Sequence, residues 1–400
     1  MSAEDVAAPA EAAVGRGVQA TYIAFIASGF AFASWASRIP QVRDQLDLNP
    51  SQLGVVLLAV AAGSLVALPL AGAVVARYGS ARTVAAMSLL LSASVVVVAL
   101  GYLQGVVPVM IGLAGLGFGN GAWDVAMNVQ GAEVERRLGR SIMSRFHAGF
   151  SLGTVAGAGI GAAMVALHVP VTAHLLGVAA VIAASVPAAT SGFLPDVAQD
   201  TSSATAAEDG GRSHLSAWRE PRTLLVGVFV LCFAFVEGTG NDWIGVAMID
   251  GYGTAAAIGT LGFALFLAAM TLGRWFGPGL LDRYGRVPTL RVLTGIGVVG
   301  LLLFVYGPTV ATAFAGAILW GLGASLGFPV GMSAAADEPR YAASRVSVVA
   351  SVGYVAFLAG PPLIGFLGDR YSVLSALTVA AGLLALAATI VTVLRPRITT

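Results

Sequence analysis

Runs of about twenty predominantly apolar residues recur along this chain of 400 residues, and they restrict what it can fold into. A helix of about twenty residues rises about 30 Å, which is the thickness of the hydrocarbon core of a bilayer. Only 10% of the residues are charged, whereas soluble domains have about a quarter. We therefore predict an all-α polytopic membrane protein with twelve transmembrane helices. The predicted spans are residues 19–38, 51–76, 83–104, 108–130, 142–167, 172–191, 222–244, 254–277, 287–307, 309–333, 343–367 and 372–394.

Two short charged loops indicate an internal duplication. One loop runs from Ala76 to Ser80 and the other from Asp282 to Arg286, and each follows an apolar run that ends in Arg-Tyr-Gly. Other residues correspond at a shift of 204 (321 − 117): Gly117 and Gly119 with Gly321 and Gly323, and Glu133 with Asp337. We predict two six-helix pseudo-symmetric halves, residues 19–191 and 222–394, arranged as parallel repeats.

The segments outside the two halves are polar. Residues 192–221 have the composition of a flexible linker, residues 1–18 read as a disordered tail, and residues 395–400 form a second short tail. All 21 basic residues are arginines, and only Arg38, Arg43 and Arg370 fall on the opposite side of the membrane from the other 18 (21 − 3). The positive-inside rule then predicts that both termini and the linker are cytoplasmic. The expected location is a bacterial inner membrane.

The two halves, the central linker and the paired loops together resemble the major facilitator superfamily of secondary transporters. In that family the acid and the arginine of the loop latch the cytoplasmic helix ends in one state of the transport cycle. The resemblance implies a latch role for Arg77, Gly79, Asp282, Arg283, Gly285 and Arg286. The sequence departs from the family pattern at Ala76, where an acid is expected, and at Pro278, where a glycine is expected. Glu133 is a candidate acid to complete the first latch.

Three shorter stretches are similar to a narrower bacterial branch of that family, which contains the membrane protein associated with rhizopine (inosamine) metabolism. These stretches are Trp-Ala-Ser-Arg-Ile-Pro at 35–40, Asp-Val-Ala-Met-Asn at 124–128, and Glu-Gly at 237–238 followed by Asp-Trp at 242–243. The similarity implies a polar, cyclitol- or sugar-like solute.

Ionisable groups inside a span are costly, so each needs a partner, a water-filled cavity or a function. In span four, Asn120, Asp124 and Asn128 follow one another at intervals of four residues and form a polar line on one helix face. Asp124 and Arg145 are at similar depth in the hairpin of spans four and five. We consider a buried ion pair between them and a proton- or substrate-binding Asp124, which are compatible if the pair breaks during the cycle.

Span seven carries a second polar line. Glu237 and Asn241 are one turn apart, and Glu237 lies about 22 Å from the start of the span at 1.5 Å per residue, in the outer half of the membrane. The sequence from Gly238 to Gly240 predicts local unwinding or bending. Glu237 either carries a coupling or substrate role, or is a neutral acid hydrogen-bonded to the opposite half.

The predicted outer ends of spans one and seven carry further candidates. Arg38 is either an interfacial anchor or the partner of Asp242 in an outer gate, with Trp243 beside it. Trp35, Trp123 and Trp243 either stack on sugar-like faces or pack in the core.

Span five has glycines at every fourth position. Gly149, Gly153, Gly157 and Gly161 form a stripe that lets a neighbouring helix approach closely, either for static packing or for sliding.

These observations predict a secondary transporter that moves a small-molecule solute by alternating access. We expect the proton as coupling ion, with Glu237 as first and Asp124 as second carrier. The alternatives are an exporter of amphipathic compounds on the same fold and a non-transporting sensor or assembly protein. With no lysine, no phosphate-binding loop and no metal-site spacing, we expect no enzyme activity, no cofactor and no metal. A net charge of +1 argues against a nucleic-acid partner, and the resemblance implies a monomer.

Overall fold

The computed structural model describes residues 3–139, 142–196, 217–338 and 341–396. Most of the predicted linker, residues 197–216, and residues 397–400 of the predicted second tail lie outside the described residues.

Helices account for both halves of the described chain. The first half contains α1 (Ala3–Ala36), α2 (Ile39–Gln45), α3 (Pro50–Tyr78), α4 (Ser80–Gly101), α5 (Val106–Leu138), α6 (Met143–Ala166) and α7 (Val171–Thr190). The second half contains α8 (Pro221–Tyr252), α9 (Ala256–Tyr284), α10 (Arg286–Tyr306), α11 (Val310–Ala324), α12 (Gly327–Ala335), α13 (Ala342–Arg370), α14 (Val373–Ala376), α15 (Thr378–Ile390) and a 3₁₀ turn (Val391–Leu394).

Twelve of the described helical segments are long and apolar enough to cross a membrane, which confirms the predicted number of spans. Span one consists of α1 and α2, span ten of α11 and α12, and span twelve of the last two helices with the 3₁₀ turn. The prediction of a disordered tail is wrong for residues 3–18, which belong to α1. Alanine and glutamate, both strong helix formers, extend the helix beyond its apolar part.

The structure divides into two compact units, Met1–Leu48 with Val55–Val197, and Asn49–Gly54 with Ala198–Thr400. In the first unit, α1 packs against α6 and α7, and α4 packs against α5 and α7. In the second unit, α8 packs against α13, and α11 packs against α9 and α10.

Equivalent glycines make equivalent contacts in the two units. A Cβ atom on Gly117 would collide with the backbone oxygen of Val60, and one on Gly321 would collide with the backbone oxygen of Phe266. At the neighbouring glycines, a Cβ atom on Gly119 would lie 3.1 Å from the backbone oxygen of Met87, and one on Gly323 would lie 2.7 Å from the backbone oxygen of Leu293. Glycines that correspond between the two halves in sequence therefore also make corresponding helix contacts.

The glycine stripe of α6 is the seam along which α6 approaches α1. A Cβ atom on Gly149 would lie 3.2 Å from the Tyr22 ring, and one on Gly157 would lie 2.6 Å from the Phe30 backbone oxygen. At Gly153 the added atom would collide with the Ile26 backbone oxygen, and at Gly161 with the Ser37 hydroxyl. Because glycine has no side chain, the two backbones come into contact and gain dispersion interactions.

We predict that Gly153→Ala destabilises the protein whereas Gly159→Ala does not. Both changes add one methyl group to α6 and gain about 1 kcal/mol of helix propensity. Only the first meets backbone, and overpacking of this kind costs about 1–3 kcal/mol or more. Nothing lies within 4 Å of a Cβ at Gly159. Thermal unfolding of the two purified variants in detergent measures the difference, and equal melting temperatures would contradict the packing account.

Candidate coupling and substrate site

Glu237 of α8 forms an ion pair with Arg274 of α9. The Nη2 atom of Arg274 lies 2.9 Å and 2.8 Å from the two carboxylate oxygens of Glu237. The side chains are 20% and 28% exposed, so the pair is largely shielded within its own unit. Arg274 lies within the spanning helix Ala256–Tyr284. Its position inside a spanning helix requires a counter-charge, and Glu237 supplies it.

The same arginine also contacts the break in span ten. Helix α11 ends at Ala324 and α12 begins at Gly327, and the Nε of Arg274 donates to the carbonyl of Ser325 at 3.3 Å. In a continuous helix that carbonyl would accept from residue 329, but Pro329 has no N–H. The proline therefore leaves the Ser325 carbonyl without a backbone donor inside the span, and Arg274 donates to it instead.

Small residues let the neighbouring helices close around this break. A Cβ on Gly277 of α9 would lie 2.5 Å from Leu326, and one on Gly273 would collide with the Ser325 hydroxyl. Gly327 lies in the same way against the Phe233 ring of α8. Glu237, Arg274 and the Ser325 carbonyl are consequently held together by three packed segments.

Two further polar groups on α8 lie next to Glu237 in sequence. The Oδ1 of Asn241 and the Oγ1 of Thr239 are buried, and neither has a hydrogen-bond partner among the described residues. The expected unwinding from Gly238 to Gly240 is not present, because α8 is continuous from Pro221 to Tyr252. Gly240 instead makes room for Phe266, whose ring would lie 2.5 Å from a Cβ.

The polar line of α5 is divided between two partners. Asn120 accepts a hydrogen bond from the Ser28 hydroxyl of α1 at 2.9 Å. Asn128 donates to the backbone oxygen of Asp124 at 2.8 Å and to its carboxylate at 3.2 Å. Ser28 was not identified from the sequence, because its small hydroxyl is common in such helices.

The expected ion pair between Asp124 and Arg145 does not form within the described part of the chain. Arg145 is exposed in the first turn of α6, and α5 packs far more against α4 than against α6. Similar depth in a hairpin therefore did not make the two residues neighbours.

The tryptophans predicted to meet a solute lie inside the helix packing. Trp35 is 3% exposed, and Trp123 and Trp243 are fully buried. The indole N–H groups of Trp123 and Trp243 have no hydrogen-bond partner among the described residues. In this structure the three rings have no open face for stacking on a sugar, and Trp243 is not an exposed interfacial residue.

Arg38 is not an interfacial anchor, since only 2% of it is exposed. It donates to His174 of α7 and to the backbone oxygen of Val169. Neither partner was identified from the sequence. Asp242 lies in the other unit, where no described residue of that unit hydrogen-bonds to its carboxylate.

The duplicated loops owe their shape to Gly79 and Gly285, whose φ angles of 83° and 80° favour glycine. Arg77 lies 5.5 Å from the centre of the Tyr78 ring, and Arg283 lies 5.2 Å from the centre of the Tyr284 ring. Asp282 is exposed and makes no ion pair among the described residues. In the second unit the ion pair of the loop is made by Arg286, which lies 2.7 Å from Asp337.

Asp196 provides the acid that the first loop lacks at Ala76. Its carboxylate accepts hydrogen bonds from the backbone N–H and the hydroxyl of Ser80, both at 2.6 Å, at the start of α4. A carboxylate at this place also interacts favourably with the helix dipole. Glu133, the expected candidate, pairs with Arg136 and Arg137 of its own helix instead.

We predict that Asp196→Ala lowers the stability of the protein by about 1 kcal/mol, the usual cost of removing a helix cap. The matched control is Asp282→Ala, which removes an exposed acid from the equivalent loop of the other half and should stay within about 0.5 kcal/mol of wild type. Chemical or thermal unfolding in detergent checks both. An unchanged Asp196→Ala would show that the cap contributes nothing.

We also predict that Glu237 and Arg274 are energetically coupled. Glu237→Gln and Arg274→Gln each leave one charge without its partner, whereas the double variant leaves neither. The double variant should lose less stability than the sum of the single variants, by about 0.5–3 kcal/mol. Arg283→Gln, which removes an exposed arginine from the same helix, is the control and should remain close to wild type. Additive losses in unfolding measurements would argue against the pair.

Twelve described helices that are long and apolar enough to span a membrane define a polytopic membrane protein. Residues 21–307 and 230–400 match the Major Facilitator Superfamily, so the chain belongs to that family of transporters. It is 33% identical to an uncharacterized transporter of Sinorhizobium fredii, over 88% of this chain and 91% of that protein. It is 32% identical to an uncharacterized MFS-type transporter of Yersinia pestis, over 92% of this chain and 91% of that protein. These relatives are named as transporters, not as enzymes.

The branch predicted from the shorter motifs is also represented among the relatives. The membrane protein MosC of Rhizobium meliloti is 26% identical over 88% of this chain and 84% of that protein.

Solved structures support the fold. The nucleoside transporter NupG superposes with a TM-score of 0.76 at 14% identity, over 96% of this chain and 100% of its own. A bacterial homolog of the human lysosomal transporter Spinster gives 0.76 at 12% identity, over 96% and 97%.

Proposed function

We propose that this transporter moves a small polar solute of the cyclitol or sugar class across the bacterial inner membrane, by alternating access coupled to protons. The observation that carries the proposal is the Glu237–Arg274 pair at the Ser325–Leu326 break. Transporters place substrate and coupling-ion sites where discontinuous helices leave backbone groups free inside the membrane. Here such a group lies beside a titratable acid and its counter-charge.

The pair couples proton binding to arginine release. While Glu237 is ionised, it holds Arg274 through two short contacts. A proton arriving on the carboxylate from one side of the membrane removes the charge attraction and frees Arg274 to bind solute. Release of that proton to the other side restores the pair, and the difference in solute affinity between the two states biases the inward- and outward-open forms.

The groups around the pair suit a hydroxyl-rich solute. Arg274 supplies hydrogen-bond donors, and Glu237 and Asn241, one turn apart on α8, supply acceptors. Binding sites for polar small molecules are built from a few such groups in an otherwise apolar lining. The similarity to MosC favours a cyclitol-like solute, and the nucleoside transporter NupG shares the fold and takes solutes that contain a sugar ring.

The first half supplies the second proton carrier. Asp124 is held only by Asn128 among the described residues, so its carboxylate is free to titrate as the halves move. Asn120 lines the same face of α5, and the exposed Arg145 leaves Asp124 without a permanent counter-charge.

The loops and helix ends act as gates in this scheme. Arg77, Asp282, Arg283 and Arg286, placed by the glycines of their loops, latch one side in one state. Arg38 and Asp242, with Trp243 beside Asp242, close the other side. The arginine distribution supports an orientation with both termini cytoplasmic, and the protein works as a monomer.

The test is solute-dependent proton movement in proteoliposomes, with a panel of cyclitols, sugars and amino sugars. We expect one compound to drive proton uptake or release in wild type, a loss of at least tenfold in Glu237→Gln, and a smaller loss in Asp124→Asn. Arg274→Gln should weaken solute binding as well as transport. Asp47→Asn, which changes an exposed acid at the left-handed φ of 50° that asparagine also tolerates, is the control.

The outcome can contradict the proposal at two levels. Solute uptake without proton movement in wild type would remove proton coupling and leave a uniporter. Full proton-coupled transport by Glu237→Gln would remove the site assignment.

A further inference from the structure

Arg38 is a buried cation without a carboxylate in its unit. It lies at the junction of α1 and α2, its Nε donates to the Nδ1 of His174 at 2.9 Å, and its Nη2 donates to the Val169 carbonyl at 3.1 Å. Both acceptors are neutral. No carboxylate oxygen of the described residues of the first unit lies within 4.0 Å of the guanidinium. The Nη1 atom has no hydrogen-bond acceptor in this part of the structure.

Several other arginines in the described chain pair with a carboxylate. Arg43, five residues further on, pairs with Asp44 at 2.7 Å. In the second unit, Arg222 and Arg286 share Asp337, and Arg345 contacts Glu220 and Glu338. Removing a guanidinium from water without a counter-charge costs several kcal/mol. Arg38 is thus an uncompensated positive charge in a shielded place.

His174 adds a second donor to this place. Because its Nδ1 accepts from Arg38, the neutral imidazole carries its proton on Nε2. His174 is 6% exposed, and its Nε2 is buried without an acceptor among the described residues. A buried N–H group without an acceptor destabilises the protein.

The residues one turn to either side of Arg38 are unsatisfied as well. The hydroxyl oxygen of Ser34 and both amide atoms of Gln41 are buried and lack partners in the described structure. Together with His174 they make up four of the ten buried side-chain atoms of this kind. Ser34 and Gln41 are close to Arg38 in sequence and His174 contacts it directly, so these unsatisfied groups belong to segments that meet at Arg38.

We propose that Arg38 forms a binding site for an anionic group, either the carboxylate of a small organic solute or an inorganic anion. The anion neutralises the guanidinium and accepts hydrogen bonds from it. A neutral sugar would satisfy the hydrogen bonds but not the charge. The site is separate from Glu237 and Arg274 and does not depend on their role.

The test measures the thermal stability of the purified full-length protein against added anion at constant ionic strength. The probes are sodium glucuronate, sodium chloride and sodium phosphate, with glucose as the neutral analogue of glucuronate. We expect at least one anion, and not glucose, to raise the melting temperature of wild type in a saturable manner. Arg38→Gln should raise the midpoint concentration at least tenfold, whereas the control Arg43→Gln should leave it unchanged.

Each outcome decides the proposal. An effect of glucuronate alone supports a solute carboxylate, and a comparable effect of chloride or phosphate supports an inorganic anion. No saturable effect of any anion on wild type, or an unchanged midpoint in Arg38→Gln, overturns the site. If Arg38→Gln does not fold, Arg38→Lys and His174→Gln replace it, and unchanged midpoints in both overturn the site equally. Glu237→Gln should keep the anion effect, which separates this site from the proposed transport function.

Discussion

The structure depends on the cost of leaving a polar group without a partner in hydrocarbon. That cost makes every span a helix, because a helix satisfies its own backbone. It also explains why the interruption of span ten lies next to a charge. Pro329 removes the N–H that Ser325 would use, and Arg274, itself in need of an acid, satisfies both the carbonyl and Glu237. A backbone defect and a charged pair thus stabilise one another.

The second constraint is close packing of the helices. Inside a bilayer the hydrophobic effect does not drive helices together, so they associate through close contacts. At Gly153, Gly117 and Gly321 the backbones of neighbouring helices are in contact, and any side chain there would collide. Gly117 and Gly321, which correspond in the two halves, make this same kind of contact. The polar sites, by contrast, differ between the halves: the Glu237–Arg274 pair lies in one, and the uncompensated Arg38 in the other.

Sequence reasoning identified the isolated acids but not their partners. Glu237 and Asp124 stand out because an acid in an apolar run is rare and costly. Arg274 was missed because it was counted only among the cytoplasmic-side arginines, and no acid was sought for it inside span eight. The pairing of Asp124 with Arg145 was predicted from depth along the membrane normal. Depth does not determine which helices are lateral neighbours, and α5 packs far more against α4 than against α6.

The sequence by itself determined the number of spans, their grouping into two repeated halves and the loops that join them, because hydropathy and glycine placement are local properties of the chain. Tertiary structure alone decided that Asp196 caps α4, that Arg38 donates to His174, and that Trp123 and Trp243 are enclosed. Each of these depends on which helix faces lie together. Several arrangements of the same amphiphilic helices satisfy the bilayer equally well, and only side-chain packing between distant segments selects one of them.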